Sequence, residues 1–232
     1  MERQIVALGG GGFRLDASPR FDDFILSLTT GGTPKVCFLG AASGDSESYV
    51  RQFYAAYGGR QCTPSHFPVF SAPPRPAREH LLDQDVVYIG GGSSANLLAL
   101  WRVHGLDSIL REAWEEGTIL AGASAGALCL FDDGVTASLG ADFGPLGDGL
   151  GLIPGSFCPH YVDDADRTAA FRRLVAGGFP AGIGAGDEVA LRFVGTELRD
   201  VVSTQTDAPA ARVELIEGHA VESTLRVRQL PA

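Results

Sequence analysis

The chain has 232 residues, a formal net charge of −10 and a hydrophobic share of 45%. A chain of this length can bury the core of a single α/β domain spanning residues 1–232 without disulfides or metal ions. The negative charge argues against nucleic acid and anionic membrane surfaces as partners. No apolar run approaches the ~18 residues of a membrane span, and residues 1–20 lack a secretion-signal pattern. We therefore expect a cytoplasmic protein.

Short apolar runs that end in glycine recur along the first half of the chain. They are Ile5–Leu8, Val36–Leu39, Val86–Ile89 and Thr118–Ala121. Runs this short and continuously apolar are typical of strands covered on both faces, as in a parallel sheet. Between them, apolar residues recur at helical spacing in segments 20–29, 46–57, 94–102 and about 111–114. The alternation predicts a doubly wound, mostly parallel α/β sheet flanked by helices.

The pattern changes after about residue 180. Glu188–Phe193, Glu197–Ser203 and Ala211–Ile216 are short, rich in strand-forming residues and separated by turns. This spacing predicts short antiparallel strands at the C-terminal end.

A serine lies in a turn of small residues directly after the fourth apolar run. Residues 122–126 read Gly-Ala-Ser-Ala-Gly and match G-x-S-x-G, with a predicted strand before them and a predicted helix from Ala127. Such a turn exposes the serine hydroxyl at the carboxyl edge of the sheet. Ser124 is therefore the candidate nucleophile, and the amide of Ala125 is a candidate oxyanion donor. The alternative is a tight turn without chemistry.

Two other glycine runs follow predicted strands. The run Gly90–Gly92 offers a second oxyanion donor, with the amide of Gly91 as the first choice. Neither this run nor Gly9–Gly12 completes a dinucleotide fingerprint or a lysine-bearing phosphate loop. The four cysteines include no C-x-x-C pair. We therefore expect no cofactor and no metal.

A serine hydroxyl needs a neighbouring base to become a good nucleophile. Of the five histidines, His160 stands out because it follows the serine in the chain, between a proline-glycine turn and a predicted helix. A lone histidine is often structural, but the serine turn favours His160 as the base.

Three ordered motifs carry a family resemblance. They are Val87–Gly92 with Asn96–Leu98, Gly122–Ala127, and Gly151–Pro154 with Pro159–Tyr161. Over about residues 4–203 the chain resembles the peptidase E family of aspartyl dipeptidases. These are serine peptidases on a class I glutamine amidotransferase-like fold, related to the cyanophycinases. The resemblance implies attack by Ser124, proton transfer through His160 and an oxyanion hole at Gly91 and Ala125. It also implies short peptide substrates, chiefly dipeptides with an N-terminal aspartate.

The acidic member of the triad departs from the family pattern. In peptidase E an aspartate is expected between the serine and the histidine; here Leu139 falls near that spacing and Asp142 is the closest acid. Cyanophycinases instead imply a glutamate beyond the histidine, which Asp187-Glu188 resembles. We expect Glu188 to orient the histidine, Asp142 to be the alternative and Asp187 to contact the substrate amine.

An aspartate side chain in the substrate requires a cation. Arg167 and Arg172 lie on the predicted helix after His160, and arginine suits bidentate carboxylate binding. Arg167 is the preferred candidate, and the alternative for either arginine is a solvated helix face.

Two other functions fit the same motifs. A small α/β-hydrolase esterase would need a histidine near the chain end, where His219 is the only candidate. A non-catalytic binding protein would retain the serine as a remnant. As partners we expect a small peptide, no nucleic acid and no membrane, with a homodimer as an option.

Overall fold

The computed structural model describes residues 2–13 and 18–231. Its strands are β1 (Gln4–Leu8), β2 (Lys35–Leu39), β3 (Thr63–His66), β4 (Val86–Ile89), β5 (Ile119–Ala123), β6 (Phe131–Thr136), β7 (Gly144–Pro145), β8 (Ile153–Pro159), β9 (Gly182–Ala185), β10 (Val189–Val194), β11 (Glu197–Ser203), β12 (Ala210–Ile216), β13 (His219–Thr224) and β14 (Arg228–Gln229). Its α-helices are α1 (Arg20–Ser27), α2 (Glu47–Tyr57), α3 (Ala77–Leu82), α4 (Ser94–His104), α5 (Leu106–Glu116), α6 (Ala125–Leu128) and α7 (Ala165–Ala176).

The larger sheet has eight strands in the order β14-β11-β10-β1-β5-β4-β2-β3. Strands β1, β5, β4, β2 and β3 run parallel, whereas β10 pairs antiparallel with β1 and β11 pairs antiparallel with β10. Helices α1 and α2 cover one face, and α3, α4 and α5 cover the other. Because both faces are covered, β1, β4 and β5 are buried along their whole length. This confirms the predicted doubly wound, mostly parallel α/β fold.

A second sheet of six strands, in the order β13-β12-β9-β8-β6-β7, was not predicted. Its centre, β6-β8-β9, is parallel, and β12 and β13 are antiparallel. The C-terminal strands are antiparallel as expected, but they divide between the sheets, because β10 and β11 join the larger one. The sequences of β6 (FDDGVT) and β8 (IPGSFCP) contain aspartate, glycine or proline. They therefore lack the continuous apolar runs that marked the other parallel strands.

The two sheets share one hydrophobic core. Phe131 of β6 stacks on Phe157 of β8 with ring centroids 4.9 Å apart, and it meets Phe193 of β10 edge-on at 5.7 Å. Helix α7 packs on the smaller sheet through Phe171 and Val175. Within the described residues, no helix has the length and apolar character needed to cross a membrane.

The carboxyl ends of strands from both sheets meet at one place. Gly9, directly after β1, donates to the carbonyl of Val189 at 3.0 Å and accepts from the amide of His160 at 3.1 Å. The amide of Ser124 donates to the carbonyl of Leu8 at 3.0 Å. These bonds join the ends of β1, β5, β8 and the start of β10, so the residues that follow these strands lie close together. In open α/β sheets, ligands bind outside the carboxyl ends of the strands.

Candidate active site

Ser124 lies on the sharp turn between β5 and α6. Its φ of 52° and ψ of −111° lie in a region that non-glycine residues rarely adopt. A Cβ built on Gly122 would lie 2.5 Å from the carbonyl carbon of Gly126, and one on Gly126 would lie 2.3 Å from the oxygen of Ile89. The motif therefore needs glycine at both ends, as the sequence pattern predicted. The helix after it begins at Ala125, earlier than the predicted start at Ala127, and it ends at Leu128, shortly before the chain enters β6 at Phe131.

His160 follows the end of β8 and reaches the serine. Its Nε2 lies 2.8 Å from Oγ of Ser124. The backbone of His160 also has a positive φ, 55°, and its carbonyl accepts from the amide of Asp164 at 2.9 Å. Positive φ at two non-glycine residues that contact each other is the kind of backbone strain that clusters at functional sites.

The second ring nitrogen of His160 contacts a carboxylate. Nδ1 hydrogen-bonds Oδ1 of Asp187. The two residues follow neighbouring parallel strands, since Pro159 of β8 pairs with Ala185 of β9. The amide of Asp187 donates to Oδ2 of Asp163 at 2.8 Å, which holds the loop between β9 and β10. The structure therefore joins Ser124, His160 and Asp187 in one hydrogen-bonded chain.

This geometry corrects the expectations for the acidic residues. Glu188 does not meet His160; its Oε2 accepts from Oγ1 of Thr204 instead. Both acids lie in the turn between β9 and β10, and it is the neighbour, Asp187, that faces the histidine. Asp187 was expected at the substrate amine, but its Oδ1 is at Nδ1 of His160. Asp142 is exposed in the loop between β6 and β7, and no hydrogen bond or ion pair joins it to His160 within the described residues.

The two predicted oxyanion donors lie beside the serine. The amide of Ala125 is the first of α6, and it has no acceptor among residues 2–13 and 18–231. A Cβ built on Gly91 would lie 3.4 Å from Cβ of Ser124. The amide of Gly91 donates a long hydrogen bond, 3.4 Å, to the hydroxyl of Tyr49.

Gly10 belongs to the site although the sequence offered only a glycine run. A Cβ at Gly10 would lie 2.3 Å from Oδ1 of Asp187 and 3.0 Å from Cε1 of His160. The contact of His160 with Asp187 therefore requires glycine at this position. The sequence contains one indication of this role. The glycine run directly follows β1, so it lies at the same edge of the sheet as the serine turn.

Two cavities open onto Ser124. The main cavity has a volume of about 490 Å³, and its lining includes Gly91, His160, Arg167 and the first turns of α2. The side cavity, about 260 Å³, is rich in hydroxyl groups, contributed by Ser93, Ser94, Thr136 and Ser138. Arg167 lines both, and it is the only lysine or arginine among the described lining residues.

The surroundings of Arg167 hold it at this junction. Its Nη1 donates to the carbonyl of Val135 at 3.0 Å, and its guanidinium lies 4.6 Å from the ring centre of Phe143. Its buried Nε makes no hydrogen bond within the described chain, but it lies 3.7 Å from Oδ2 of Asp164, within ion-pair distance. Burial lowers the pKa of Arg167, but a guanidinium keeps its charge in proteins. Arg172 instead pairs with Glu222 on the outer side of α7 and does not line either cavity.

The serine, histidine and carboxylate chain with adjacent amides is the arrangement of serine hydrolases, among them serine peptidases. The sequence model of peptidase family S51 matches residues 5–201. The chain therefore belongs to this family of serine-type peptidases.

The chain is also similar to several known proteins. The uncharacterized peptidase YgaJ of Bacillus subtilis (strain 168) is 42% identical over 232 residues, which covers 98% of this chain and 99% of that protein. A crystal structure of a peptidase from an acI-B1 Actinobacterium has a TM-score of 0.74 at 21% identity, covering 98% of this chain and 95% of that one. A candidate peptidase E protein from Listeria monocytogenes EGD-e has a TM-score of 0.64 at 17% identity, covering 86% and 98%. The two structures share the fold.

Proposed function

We propose that this peptidase cleaves short peptides, chiefly dipeptides that begin with aspartate, through an acyl-enzyme on Ser124. The observation that carries the proposal is the 2.8 Å contact between Oγ of Ser124 and Nε2 of His160. This distance is within the range required for a general base to take the proton of a nucleophile.

The reaction follows from the positions of the groups. Oγ of Ser124 bonds to the peptide carbonyl carbon while its proton moves to Nε2 of His160, and the carbonyl electrons move onto the oxygen. The amides of Gly91 and Ala125 donate to that oxyanion. When the tetrahedral intermediate collapses, the C–N bond breaks and His160 gives its proton to the leaving amine. Water repeats the sequence on the ester, and Asp187 stabilises the imidazolium in both halves.

Arg167 is the group we propose for the substrate carboxylate. It lines both cavities beside Ser124, and its buried Nε, which lies 3.7 Å from Oδ2 of Asp164, forms no hydrogen bond within the described chain. A buried donor that makes no hydrogen bond is costly, and a substrate carboxylate would accept from it with a charge-assisted bond. An acidic side chain next to the scissile bond therefore suits this site better than an apolar one.

The esterase alternative has less support. It needed His219 as the base, but that residue begins the exposed edge strand β13, and His160 is at the serine. The non-catalytic alternative predicts a serine without reactivity, which labelling tests directly.

A cleavage profile over a dipeptide library tests the substrate proposal. We expect Asp-X dipeptides to be hydrolysed faster than Asn-X, Glu-X and Ala-X, with nitrophenyl esters as the esterase comparison. The variants S124A and H160A should each lose this activity, whereas H219A should keep it. Preference for a neutral N-terminal residue, or activity lost in H219A, would contradict the proposal.

A further inference from the structure

Tyr49 brings a phenol hydroxyl into the main cavity. It lies in the first turn of α2, and the cavity it lines also holds Ser124 and His160. The residue took no part in the sequence motifs, and nothing in the triad requires it. Its hydroxyl is nevertheless the group that contacts the amide of Gly91, a proposed oxyanion donor.

The ring of Tyr49 is fixed on several sides. Its centroid lies 5.1 Å from that of Phe13 and 5.0 Å from that of Phe38. A Cβ built on Gly90 would lie 2.9 Å from Cε1 of Tyr49, closer than real Cβ contacts come. Gly90 is therefore needed for this ring to reach its place. A group held this firmly has its orientation set before the substrate binds, as electrostatic stabilisation of a transition state requires.

The bond between Gly91 and Tyr49 is long. At 3.4 Å the N···O distance exceeds the usual ~2.7–3.2 Å of such hydrogen bonds. The hydroxyl of Tyr49 therefore holds the amide of Gly91 weakly, and the amide can turn to a better acceptor at a small cost in free energy. An oxyanion on the carbon attacked by Ser124 is such an acceptor, because Gly91 packs directly on the serine.

We propose that Tyr49 is a further catalytic residue, whose hydroxyl donates a hydrogen bond to the oxyanion beside the amide of Gly91. A phenol can donate as well as accept, so when the amide of Gly91 turns to the oxyanion, the hydroxyl of Tyr49 can present its own proton to the same oxygen. The proton stays on Tyr49 throughout; only Ser124 and His160 exchange one. This inference rests on the proposed acyl-enzyme reaction at Ser124.

The variant Y49F tests it, since the ring and its contacts with Phe13 and Phe38 remain. Loss of one oxyanion-hole donor lowers kcat by ~10²–10³-fold. Because two amides remain, we expect a ~10–100-fold lower kcat on an Asp-X dipeptide, with KM changed less than threefold. The inhibition constant of an aspartyl aldehyde, which forms an oxyanion on the serine, should rise by a similar factor.

The matched control is Y54F, on the same helix. The hydroxyl of Tyr54 hydrogen-bonds Nδ1 of His66, outside the lining of the main cavity, so kcat should be unchanged. Trifluorotyrosine at position 49 keeps the shape of the side chain but has a more acidic phenol. The kcat of this variant, relative to the natural enzyme, should fall as the phenol ionises, because an ionised phenol has no proton to donate. A kcat of Y49F within threefold of the natural enzyme, or a loss confined to KM, would overturn the inference. Full activity of S124A would instead overturn the proposed function.

Discussion

Replacing Asp187 by asparagine tests the third member of the proposed triad. In the natural chain Oδ1 of Asp187 accepts from Nδ1 of His160, which leaves Nε2 unprotonated toward Ser124. An asparagine that turns its NH₂ to Nδ1 would favour the opposite tautomer, with a proton on Nε2. That nitrogen could no longer take the proton of the serine, so kcat should fall while the fold and KM change little.

The size of the loss follows from the exposure of the carboxylate. An aspartate-to-asparagine change in a buried triad costs ~10⁴ in kcat. The side chain of Asp187 is 46% exposed, so water can partly replace it and its field is screened. We expect a ~10²–10³-fold fall, equivalent to ~3–4 kcal/mol in the activation free energy.

The assay is steady-state hydrolysis of an Asp-X dipeptide by D187N, with E188Q as the matched control at the neighbouring acid. Glu188 accepts from Thr204 and not from His160, so E188Q should keep kcat within about threefold. Thermal melting checks that both variants fold. The reasoning is refuted if D187N stays within tenfold of the natural enzyme while E188Q is inactive.

Two further predictions concern buried charges. R167M should lower kcat/KM for Asp-X dipeptides by ~10–100-fold, since a hydrogen bond to a charged group contributes ~1.5–3 kcal/mol. Its kcat/KM for Asn-X dipeptides should change little, and R172M should leave kcat/KM for both substrates unchanged. An equal loss on Asp-X and Asn-X would count against the carboxylate contact. Asp22, which accepts from Tyr57, has its pKa raised to about 6 by burial, so the folded state holds its proton more tightly and stability falls as pH rises from ~4 to ~6. Urea unfolding at several pH values measures this. The free energy of unfolding of D22N, minus that of the natural chain, should rise by ~3 kcal/mol between pH ~4 and ~6. A difference that does not change with pH would contradict the prediction.

Local geometry explains which residues the sequence could identify. The serine turn depends on five consecutive residues, because Gly122 and Gly126 must be small for the turn to close. Its chemistry is therefore visible as a short motif. The partner His160 was found from its position in the chain and its family motif, and the structure brings it to the serine.

The acid could not be selected from sequence alone. Asp187 and Glu188 are adjacent, and their directions depend on how β9 pairs with β8 and where β10 begins. Both residues lie in the turn between β9 and β10, and the path of that turn decides which carboxylate reaches the histidine. The sequence does not show that path.

The same limit applies to the arginines and to the second sheet. Arg167 and Arg172 are five residues apart, which separates them by about 140° around a helix. Only the docking of α7 decides which one faces the cavity. The strands β6 and β8 gave no periodic signal because aspartate, glycine and proline interrupt them. The parallel core of the first half, with its uninterrupted apolar runs, could be predicted.

The reactivity of Ser124 toward a fluorophosphonate, followed by peptide mass spectrometry, tests the central claim most directly. The account predicts one covalent adduct per chain on the peptide that contains Ser124, no adduct in S124A, and labelling slowed by at least tenfold in H160A. An adduct on another residue, or a natural chain that takes up no label, would contradict it.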